Sequence, residues 1–297
     1  RPFGGVFMTK VRVAVIGVGH LGKYHAEKYQ FLPEAELVAV CDVDSKACSE
    51  VAQTLGVEAL GDYEQLIGLV DAVNIVTPTE LHHKIALFFL QKGVHVLLEK
   101  PISVNLLEAD ELVAAANRNA VVLQIGHIER FNAAIIEATR QINAPQFIHA
   151  VRFAPFKPRS LDVSVILDLM IHEIDIIQSM VEADITHIAA SGIAVFSSQL
   201  DVANARIEFG NGCVASITAS RMSAATERKW HVFQKDGEVV IDFNAKQSTD
   251  ALQAEISSFV ECILQKKQPI VSGEAGRKAL ATALEITRII DNNSSNA

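Results

Sequence analysis

Residues 11–22 read VRVAVIGVGHLG, and this stretch decides the fold of the N-terminal half. The apolar run Val11–Ile16 predicts a buried strand, and the residues after it satisfy the GxGxxG pattern of a dinucleotide-binding turn that opens a helix. Gly17 permits the tight turn, Gly19 lets the backbone approach a pyrophosphate, and Gly22 lets the helix pack on the strand. A lone match of this kind is weak, so its meaning depends on the flanking sequence.

The second predicted strand, Ala35–Cys41, supplies that context because it ends in Asp42, about 25 residues after the first glycine. A carboxylate there accepts both ribose hydroxyls of NAD and repels the 2′-phosphate of NADP, and Val43 leaves no adjacent arginine to bind that phosphate. The backbone around His20 and Leu21, where the helix starts, would hold the phosphates. We therefore predict an NAD site rather than a glycine turn with a helix-capping aspartate.

Two domains are predicted from a change of pattern near Gly126. Before it, short β-branched runs alternate with helical periodicity, which is typical of a parallel sheet covered on both faces. After it, longer alternating segments, some joined by glycine turns, flank the long predicted helix Ser164–Glu182. We expect an α/β Rossmann domain over 1–126 and, over 127–297, an α+β domain with a large, mostly antiparallel open-faced sheet.

The element bounds follow from the same patterns. The predicted strands are Val11–Ile16, Ala35–Cys41, Ala72–Val76, His95–Leu98, Ala120–Gln124, Gln146–Phe153, Ile185–Phe196, Asp201–Phe209, Cys213–Arg221 and a hairpin over Lys229–Phe243. The other predicted helices are Gly22–Tyr29, Ser45–Leu55, His82–Lys92, Leu106–Asn117, Asp250–Gln265 and Gly273–Ile290.

Composition excludes several classes of protein. The formal net charge of −9 is spread along 297 residues, which argues against binding to nucleic acid or to an anionic membrane. No apolar stretch reaches the roughly 18 residues of a membrane span. The cysteines at 41, 48, 213 and 262 fit neither a disulfide framework nor a metal site, so we expect reduced thiols in the cytoplasm. Arg1–Phe7 is interpreted as an irregular leader ahead of a start at Met8.

Two short motifs follow predicted strands, at the edge where open α/β sheets bind ligands. In the first, Thr77 and Pro78 precede Thr79, which can cap the next helix and touch the cofactor, and His82 falls in that helix's first turn. Each of these residues fits a structural role as well as a functional one.

The second motif, Glu99, Lys100 and Pro101, puts a lysine beside the expected nicotinamide. Lysines usually lie in water, so one placed directly after a buried strand is a functional candidate. The proline allows a cis peptide that would aim the lysine side chain.

Asp168 and His172 lie four positions apart in the otherwise apolar run 165–172, so their side chains share one face of the predicted helix. A polar pair on a buried helix must be hydrogen-bonded, either as a satisfied core contact or as part of a site. Glu173 and Asp175 are expected on other faces of the helix or near its interface.

The strings GVGHLG (17–22), TPTELH (77–82), EKP (99–101) and DLMIH (168–172), in this order and spacing, resemble the Gfo/Idh/MocA family of sugar oxidoreductases. The resemblance runs from Met8 to about Ile290. It implies a Rossmann domain followed by an open-faced mixed sheet, and a Lys–Asp–His constellation that maps onto Lys100, Asp168 and His172. It also implies homodimers or homotetramers formed through the open sheet face, where we place the apolar residues Leu200, Val202 and Val214.

Within the family, GHIERFN (126–132) and LDLMIH (167–172) are most similar to nucleotide-sugar 3-dehydrogenases. Such enzymes oxidise UDP-N-acetylglucosamine or a related uronate for cell-surface polysaccharide or lipid A synthesis. This similarity implies that His127 and Arg130 join the three family residues in binding the sugar, and that Glu99 and Lys100 also border the cofactor.

The implied reaction is reversible oxidation of a secondary hydroxyl on a sugar. His172 would act as general base, Lys100 would stabilise the developing oxyanion, and Asp168 would hold a neighbouring hydroxyl or orient Lys100. The roles of Lys100 and His172 are interchangeable on this reasoning. The alternatives are a dehydrogenase of an inositol, another free polyol or an aldose, and an inert NAD-binding regulator, which would not need all three residues.

Overall fold

The structure, a computed structural model, describes residues 10–156, 163–243 and 249–295. The leader Arg1–Phe7 and the start proposed at Met8 lie outside the described residues. The described chain divides into two compact units. One contains the residues up to Gly126 together with Leu252–Gly276, and the other contains His127–Ala251 with the residues from Arg277 onward.

The first unit is built on six parallel strands in the order β3-β2-β1-β4-β5-β6, which is the strand order of a dinucleotide-binding Rossmann sheet. The central strands are buried along almost their whole length because helices cover both faces. The predicted parallel sheet is therefore confirmed. Its strands are β1 (Val11–Ile16), β2 (Ala35–Cys41), β3 (Glu58–Leu60), β4 (Ala72–Ile75), β5 (His95–Glu99) and β6 (Leu123–Gly126).

The first four helices connect these strands: α1 (Gly22–Tyr29), α2 (Ser45–Leu55), α3 (Thr79–Gln91) and α4 (Leu106–Asn119). Asp44 caps α2 by accepting from two backbone N–H groups, and Asn105 caps α4 by accepting from the Glu108 N–H. The predicted start of a strand at Ala120 is wrong. Ala120 adopts a left-handed conformation with φ of 51° and ends α4, so β6 starts three residues later.

The second unit holds a six-stranded sheet in the order β12-β11-β7-β10-β9-β8. Only the β7–β10 pair is parallel, which confirms the mostly antiparallel sheet. Its strands are β7 (Phe147–Phe153), β8 (Ile185–Ile193), β9 (Val202–Phe209), β10 (Val214–Ser220), β11 (Glu227–Gln234) and β12 (Gly237–Asp242).

Alternation along these strands separates two faces of the sheet. Ala203, Ala205, Ile207 and Phe209 are buried in the core of the unit, as predicted, where helices α5 (Ala133–Thr139) and α6 (Ile171–Met180) pack. The opposite face carries the intervening side chains. We call this surface the open face; it is formed by Val240 and Glu238 on β12, His231, Lys229 and Phe233 on β11, His149, Phe147 and Val151 on β7, Val214, Ser216 and Thr218 on β10, Val202, Asn204, Arg206 and Glu208 on β9, and Ala189 on β8.

The helix predicted over Ser164–Glu182 is not one regular α-helix. A π-helical segment spans Ile166–Met170, and α6 follows it from Ile171 to Met180. Such segments are rare and occur often at functional sites. Because a π-helix bonds each residue to the fifth one along, positions four apart still lie about one turn apart, so Asp168 and His172 keep a shared face.

The last two helices are α7 (Ala251–Gln265) and α8 (Gly273–Ser295). The segment 252–276, predicted within the second domain, belongs to the first unit, where Ile256 and Phe259 join the core of the Rossmann sheet. The Ile125 N–H donates to the Val271 carbonyl at 3.0 Å, which fixes the segment beside β6. In the described ranges, no helix combines the length and the hydropathy needed to cross a membrane.

Candidate functional site

The glycine turn after β1 has the shape that a pyrophosphate requires. Gly17 has φ of +84°, and a Cβ there would lie 2.5 Å from the Val76 carbonyl oxygen. A Cβ on Gly22 would lie 1.7 Å from the Gly17 carbonyl oxygen, so both positions need glycine for close backbone packing. A Cβ on Gly19 would meet nothing within 4 Å. The space beside Gly19 is therefore open to a ligand.

The first turn of α1 is available to an anion. His20 and Leu21 precede it and are exposed, and no side chain caps the helix. A helix start of this kind offers backbone N–H groups and partial positive charge. This arrangement fits the two phosphates of NAD.

Asp42 lies at the end of β2, beside the glycine turn. Its Oδ2 accepts from the Val18 N–H at 2.8 Å and its Oδ1 accepts from the Asp44 N–H at 2.9 Å. Each carboxylate oxygen has a second lone pair, so the group can still accept ribose hydroxyls.

A cavity of about 370 Å³ opens at this edge of the sheet. Its walls include Gly17, Gly19, Asp42 and Thr77, which the sequence predicted at the cofactor site. The Thr77 hydroxyl is buried and has no hydrogen-bond partner within the described part of the chain, so it is free to bond to a ligand. The residues present therefore fit NAD.

Among the other residues that line the same cavity, three carry polar side-chain groups and were not identified from the sequence as site residues: Cys41, Tyr63 and Lys84. Cys41 directly precedes Asp42, which was a usable signal, whereas Tyr63 and Lys84 stand in no motif. Burial raises the pKa of the Cys41 thiol to about 12, so this group lines the wall as a neutral side chain.

The structure places Thr79 and His82 differently from the prediction. Helix α3 begins at Thr79 with Pro78 at the capping position, and no side chain caps the helix. His82 is buried, and its two ring nitrogens lie 2.8 Å from the Pro101 carbonyl oxygen and 2.9 Å from the Thr77 carbonyl oxygen. Burial lowers the pKa of this imidazole, and the two carbonyls oppose that shift. His82 thus supports two loops and has no ring nitrogen left for a cofactor.

Lys100 follows β5 and is partly buried, and the Lys100–Pro101 peptide is cis, as the sequence suggested. The Glu99 carboxylate before it accepts from the Lys100 backbone N–H at 3.2 Å and lies 3.3 Å from His25 Nε2. The other ring nitrogen of His25 lies 3.0 Å from Asn74 Oδ1. Glu99, predicted at the cofactor, is thus engaged with groups inside the first unit.

A second acid, Glu255 on α7, is buried near Glu99. Its side chain is fully buried, and neither carboxyl oxygen has a hydrogen-bond partner among the described residues. Burial, together with the charge on Glu99, raises the pKa of Glu255 well above its ordinary value, while His25 and Lys100 outweigh burial and lower the pKa of Glu99. Two carboxyls that interact in a buried cluster do not both ionise readily, so Glu255 carries the proton. No motif marks this residue in the sequence.

In the second unit, the structure brings His127 and His172 together. His172 lies in the first turn of α6, His127 follows β6, and both are buried. Their rings are 6.1 Å apart and perpendicular. Asp168, in the π-helical segment, is partly buried one turn before His172.

The acidic residues expected on other faces of this helix are also buried, and both form ion pairs. Asp175 lies 3.5 Å from Arg130, the predicted substrate-binding arginine, and Glu173 pairs with Arg152. Arg152 stands in no motif, so the sequence did not indicate this network. The described residues contain no group of three or more side chains placed to hold a metal ion.

Comparison with known families identifies both units. Residues 11–127 match the model described as the GFO/IDH/MocA oxidoreductase family, NAD-binding Rossmann fold, and residues 136–240 match the GFO/IDH/MocA C-terminal domain. The NAD cofactor and the oxidoreductase class expected from the sequence are thereby confirmed.

Two curated relatives resemble nearly the whole chain. The sequence is 37% identical to UDP-N-acetylglucosamine 3-dehydrogenase from Acidithiobacillus ferrooxidans, over 94% of this chain and 97% of that one. It is 29% identical to scyllo-inositol 2-dehydrogenase (NAD(+)) from Bacillus subtilis, over 89% of each chain.

Solved structures give the same result. The fold is similar to that of the Acidithiobacillus enzyme, with a TM-score of 0.92 at 37% identity over 96% of this chain and 99% of that chain. It also resembles a scyllo-inositol dehydrogenase from Lactobacillus casei, with a TM-score of 0.88 at 21% identity over 96% and 98% of the two chains, which shows a shared fold. The chain belongs to the Gfo/Idh/MocA family of NAD-binding oxidoreductases.

Proposed function

We propose that this protein uses NAD to oxidise the 3-hydroxyl of a UDP-N-acetylamino sugar, in a reversible reaction. The observation that carries the proposal is the 37% identity to UDP-N-acetylglucosamine 3-dehydrogenase across 94% of the chain, which covers both units. We further propose that the enzyme works in the cytoplasm, supplying cell-surface polysaccharide or lipid A synthesis. The four cysteines, all buried and free, support a reducing compartment.

The residues around the glycine turn would hold the cofactor. Gly17, Gly19 and the start of α1 would take the pyrophosphate, and Asp42 would accept the ribose hydroxyls. NAD, when bound, supplies the acceptor for the hydride that leaves the alcohol carbon.

The catalytic groups we propose are Lys100, Asp168 and His172. His172 takes the proton of the reacting hydroxyl, because an imidazole titrates near neutral pH. Lys100 donates a hydrogen bond to the same oxygen and stabilises its developing negative charge. Asp168 holds a neighbouring hydroxyl or orients Lys100. In the alternative form of this mechanism, Lys100 takes the proton and His172 stabilises the developing negative charge.

His127 and Arg130 are proposed to bind the sugar nucleotide. Support for His127 comes from its position 6.1 Å, ring to ring, from His172. Support for Arg130 comes from its charge and from its side chain, which is 16% exposed and lies beside Asp175.

A second candidate function is oxidation of a free inositol, because inositol dehydrogenases from Bacillus subtilis and Thermotoga maritima are 29% and 26% identical over about nine-tenths of the chain. An inert NAD-binding regulator is the candidate of another class. The first candidate predicts turnover of a nucleotide sugar, the second predicts turnover of the free polyol, and the third predicts neither.

A substrate panel tests the three candidates. The purified protein is incubated with NAD and UDP-N-acetylglucosamine, scyllo-inositol, myo-inositol or glucose, and NADH is followed by its absorbance. We expect NADH only with the nucleotide sugar, and a loss of kcat of about 10²–10⁴-fold in Lys100→Ala and His172→Ala, the usual contribution of one positioned group. Because the groups act as a unit, the double variant should be little worse than the worse single one.

Retained NAD affinity in these variants is the control, since the glycine turn and Asp42 hold the cofactor. Near-normal turnover by the double variant would contradict the proposed catalytic groups. Turnover of an inositol in preference to the nucleotide sugar would replace the first candidate by the second.

A further inference from the structure

Arg152 on β7 bridges two segments of the second unit. Its Nη1 donates to Glu173 Oε1 at 2.9 Å, and its Nη2 donates to Glu129 Oε1 at 3.2 Å. Glu173 belongs to α6, whereas Glu129 belongs to a 3₁₀ turn at Ile128–Phe131. One guanidinium, on a side chain that is 11% exposed, therefore ties both segments to the sheet.

Each carboxylate that Arg152 binds is also held from a second side. Asn132 Nδ2 donates to Glu129 Oε2 at 3.1 Å, and the Trp230 indole N–H donates to Glu173 Oε2. Both oxygens of both acids are thus bonded, which leaves the carboxylates little freedom to move.

A like-charge pair in the sheet also constrains Arg152. Arg228 on β11 lies directly opposite Arg152 in the strand register, and its guanidinium donates to Glu129 as well. Directly opposed like charges are unfavourable unless an anion lies between them. Burial acts to raise the pKa of Glu129, but Arg152 and Arg228 outweigh it and hold that pKa below its ordinary value. Glu129 is therefore the anion that both arginines share.

The two bridged acids stand next to the candidate site residues in the chain. Glu129 lies between His127 and Arg130, and Glu173 directly follows His172. By binding both acids, Arg152 joins the two backbone segments that hold the His127 and His172 rings beside each other. Hydrogen bonds from a partner outside a site are a general means of fixing groups that must act together.

We propose that Arg152 is a positioning residue that fixes His127 and His172 relative to one another by holding Glu129 and Glu173 at once. Its effect on turnover rests on the proposed function, whereas its effect on the histidine rings does not. Arg152 is suited to the task because a planar guanidinium offers two donors in fixed directions, and a lysine ammonium does not.

The same unit offers a matched control in Arg221. Its side chain is 7% exposed and pairs with the buried Asp201 at 2.7 Å. Its guanidinium also donates to the Val163 carbonyl and to Ser197 Oγ, so it ties two segments to the sheet much as Arg152 does. Neither Val163 nor Ser197 is next to His127 or His172 in the chain. Arg152→Lys and Arg221→Lys thus remove similarly buried forks, and only the first removes the bonds to Glu129 and Glu173.

The experiment compares these variants in the full-length chain. Correlation spectra of ¹⁵N-labelled histidine side chains are expected to show displaced His127 and His172 signals in Arg152→Lys and unchanged ones in Arg221→Lys. On the substrate found in the panel, kcat should fall about 10- to 100-fold in Arg152→Lys, as expected for a misplaced group, while NAD affinity is unchanged. The kcat of Arg152→Met should fall further than that of Arg152→Lys, because methionine removes the charge that lysine keeps.

Unmoved histidine signals in a folded Arg152→Lys protein would overturn the proposal, as would equal losses of kcat in both lysine variants. If Arg152→Lys does not fold, Glu173→Gln and Glu129→Gln each weaken one end of the bridge and are read by the same spectra. Failure of every substrate in the panel removes only the proposed function, because the spectra need no turnover.

Discussion

Asp42 supports the glycine turn as well as facing the cofactor cavity. Its two oxygens accept from Val18 and Asp44 backbone N–H groups, so the carboxylate shapes the loop that receives the phosphates. An alanine at this position would remove the loop support and the negative charge together. Asparagine removes the charge but keeps one of the two acceptor oxygens, so it retains one of the two backbone contacts and disturbs the loop less than alanine does.

Asp42→Asn is therefore expected to narrow the preference for NAD over NADP. In the unaltered protein, the unpaired 2′-phosphate beside a carboxylate should cost about 2–4 kcal/mol of binding free energy. Dissociation constants for both cofactors, measured by calorimetry, check this. The control is Asp44→Asn, because Asp44 caps α2 and asparagine caps nearly as well. Equal affinity of the unaltered protein for NAD and NADP would contradict the role given to Asp42.

Glu255 is a buried acid whose protonation links stability to pH. Because its pKa in the folded protein is raised above the unfolded value of about 4.3, the folded state keeps a proton that the unfolded state loses. The contribution of Glu255 to stability is thus fully present below about pH 4. It is lost as pH rises through the folded pKa, by up to about 1.4 kcal/mol per pH unit.

Glu255→Gln should remove this dependence, because glutamine resembles the neutral acid and does not titrate. We expect the free energy of unfolding of Glu255→Gln to rise relative to that of the unaltered protein as pH increases above about 4.3, the pKa of an unfolded glutamate. Urea unfolding at several pH values measures it. The control variant is Glu261→Gln, because Glu261 is exposed on the same helix. A pH-independent difference for Glu255→Gln would show that Glu255 does not hold its proton.

Elements with strong local signals were predicted from the sequence to the residue. The bounds of α1, α2, β1 and β2 match the structure because apolar spacing, a cap or a glycine marks each end. Elements without such marks were missed: β3 has three residues, and α5 has seven. The left-handed end of α4 falls on Ala120, where glycine is usual, so that boundary carried no signal.

Contacts between residues far apart in the chain could not be predicted from the periodicity of the sequence. The candidate residues of the glycine turn, the strand ends and the DLMIH run were found because each stands in a local motif. Arg152 was missed because its importance comes from partners 21 to 23 residues away in the chain. Glu255 was missed because its importance comes from the residues of the sheet beside α7, Glu99 among them. The return of 252–276 to the first unit is of the same kind, since chain order does not specify it.

That return depends on close packing at the start of α8. A Cβ on Gly276 would lie 2.6 Å from Ile125 Cγ1 and 3.1 Å from its Cβ, and Ile125 is fully buried. We expect Gly276→Ala to lower the free energy of unfolding by about 1–3 kcal/mol through overpacking, although alanine favours a helix by about 1 kcal/mol. Chemical denaturation measures the change. Gly61→Ala, whose Cβ would meet nothing within 4 Å, is the control, and a stabilised Gly276→Ala would refute close packing here.

At the scale of the whole molecule, we predict that the open face of the second sheet is an interface between subunits. Phe233 is 42% exposed and Val240 is 49% exposed, and Phe233 contacts Phe147 across the strands at 6.2 Å between ring centroids. Val202 and Val214 also lie on this face, as expected. Leu200 does not, because it packs against the core of the unit. Contiguous exposed apolar side chains usually mark an interface.

We therefore expect the protein to form a homodimer or homotetramer through the open face, burying about 800 Å² on each partner. Charges placed on its exposed apolar side chains should dissociate the assembly, because an unpaired arginine buried in an interface is costly. Phe233→Arg with Val240→Arg should give a monomer by light scattering at micromolar concentration, while the unaltered protein stays oligomeric. Leu107→Arg is the control, since Leu107 is 71% exposed on α4, which belongs to the first unit. An unaltered protein that is monomeric, or an oligomer that survives the double substitution, would assign the open face another role.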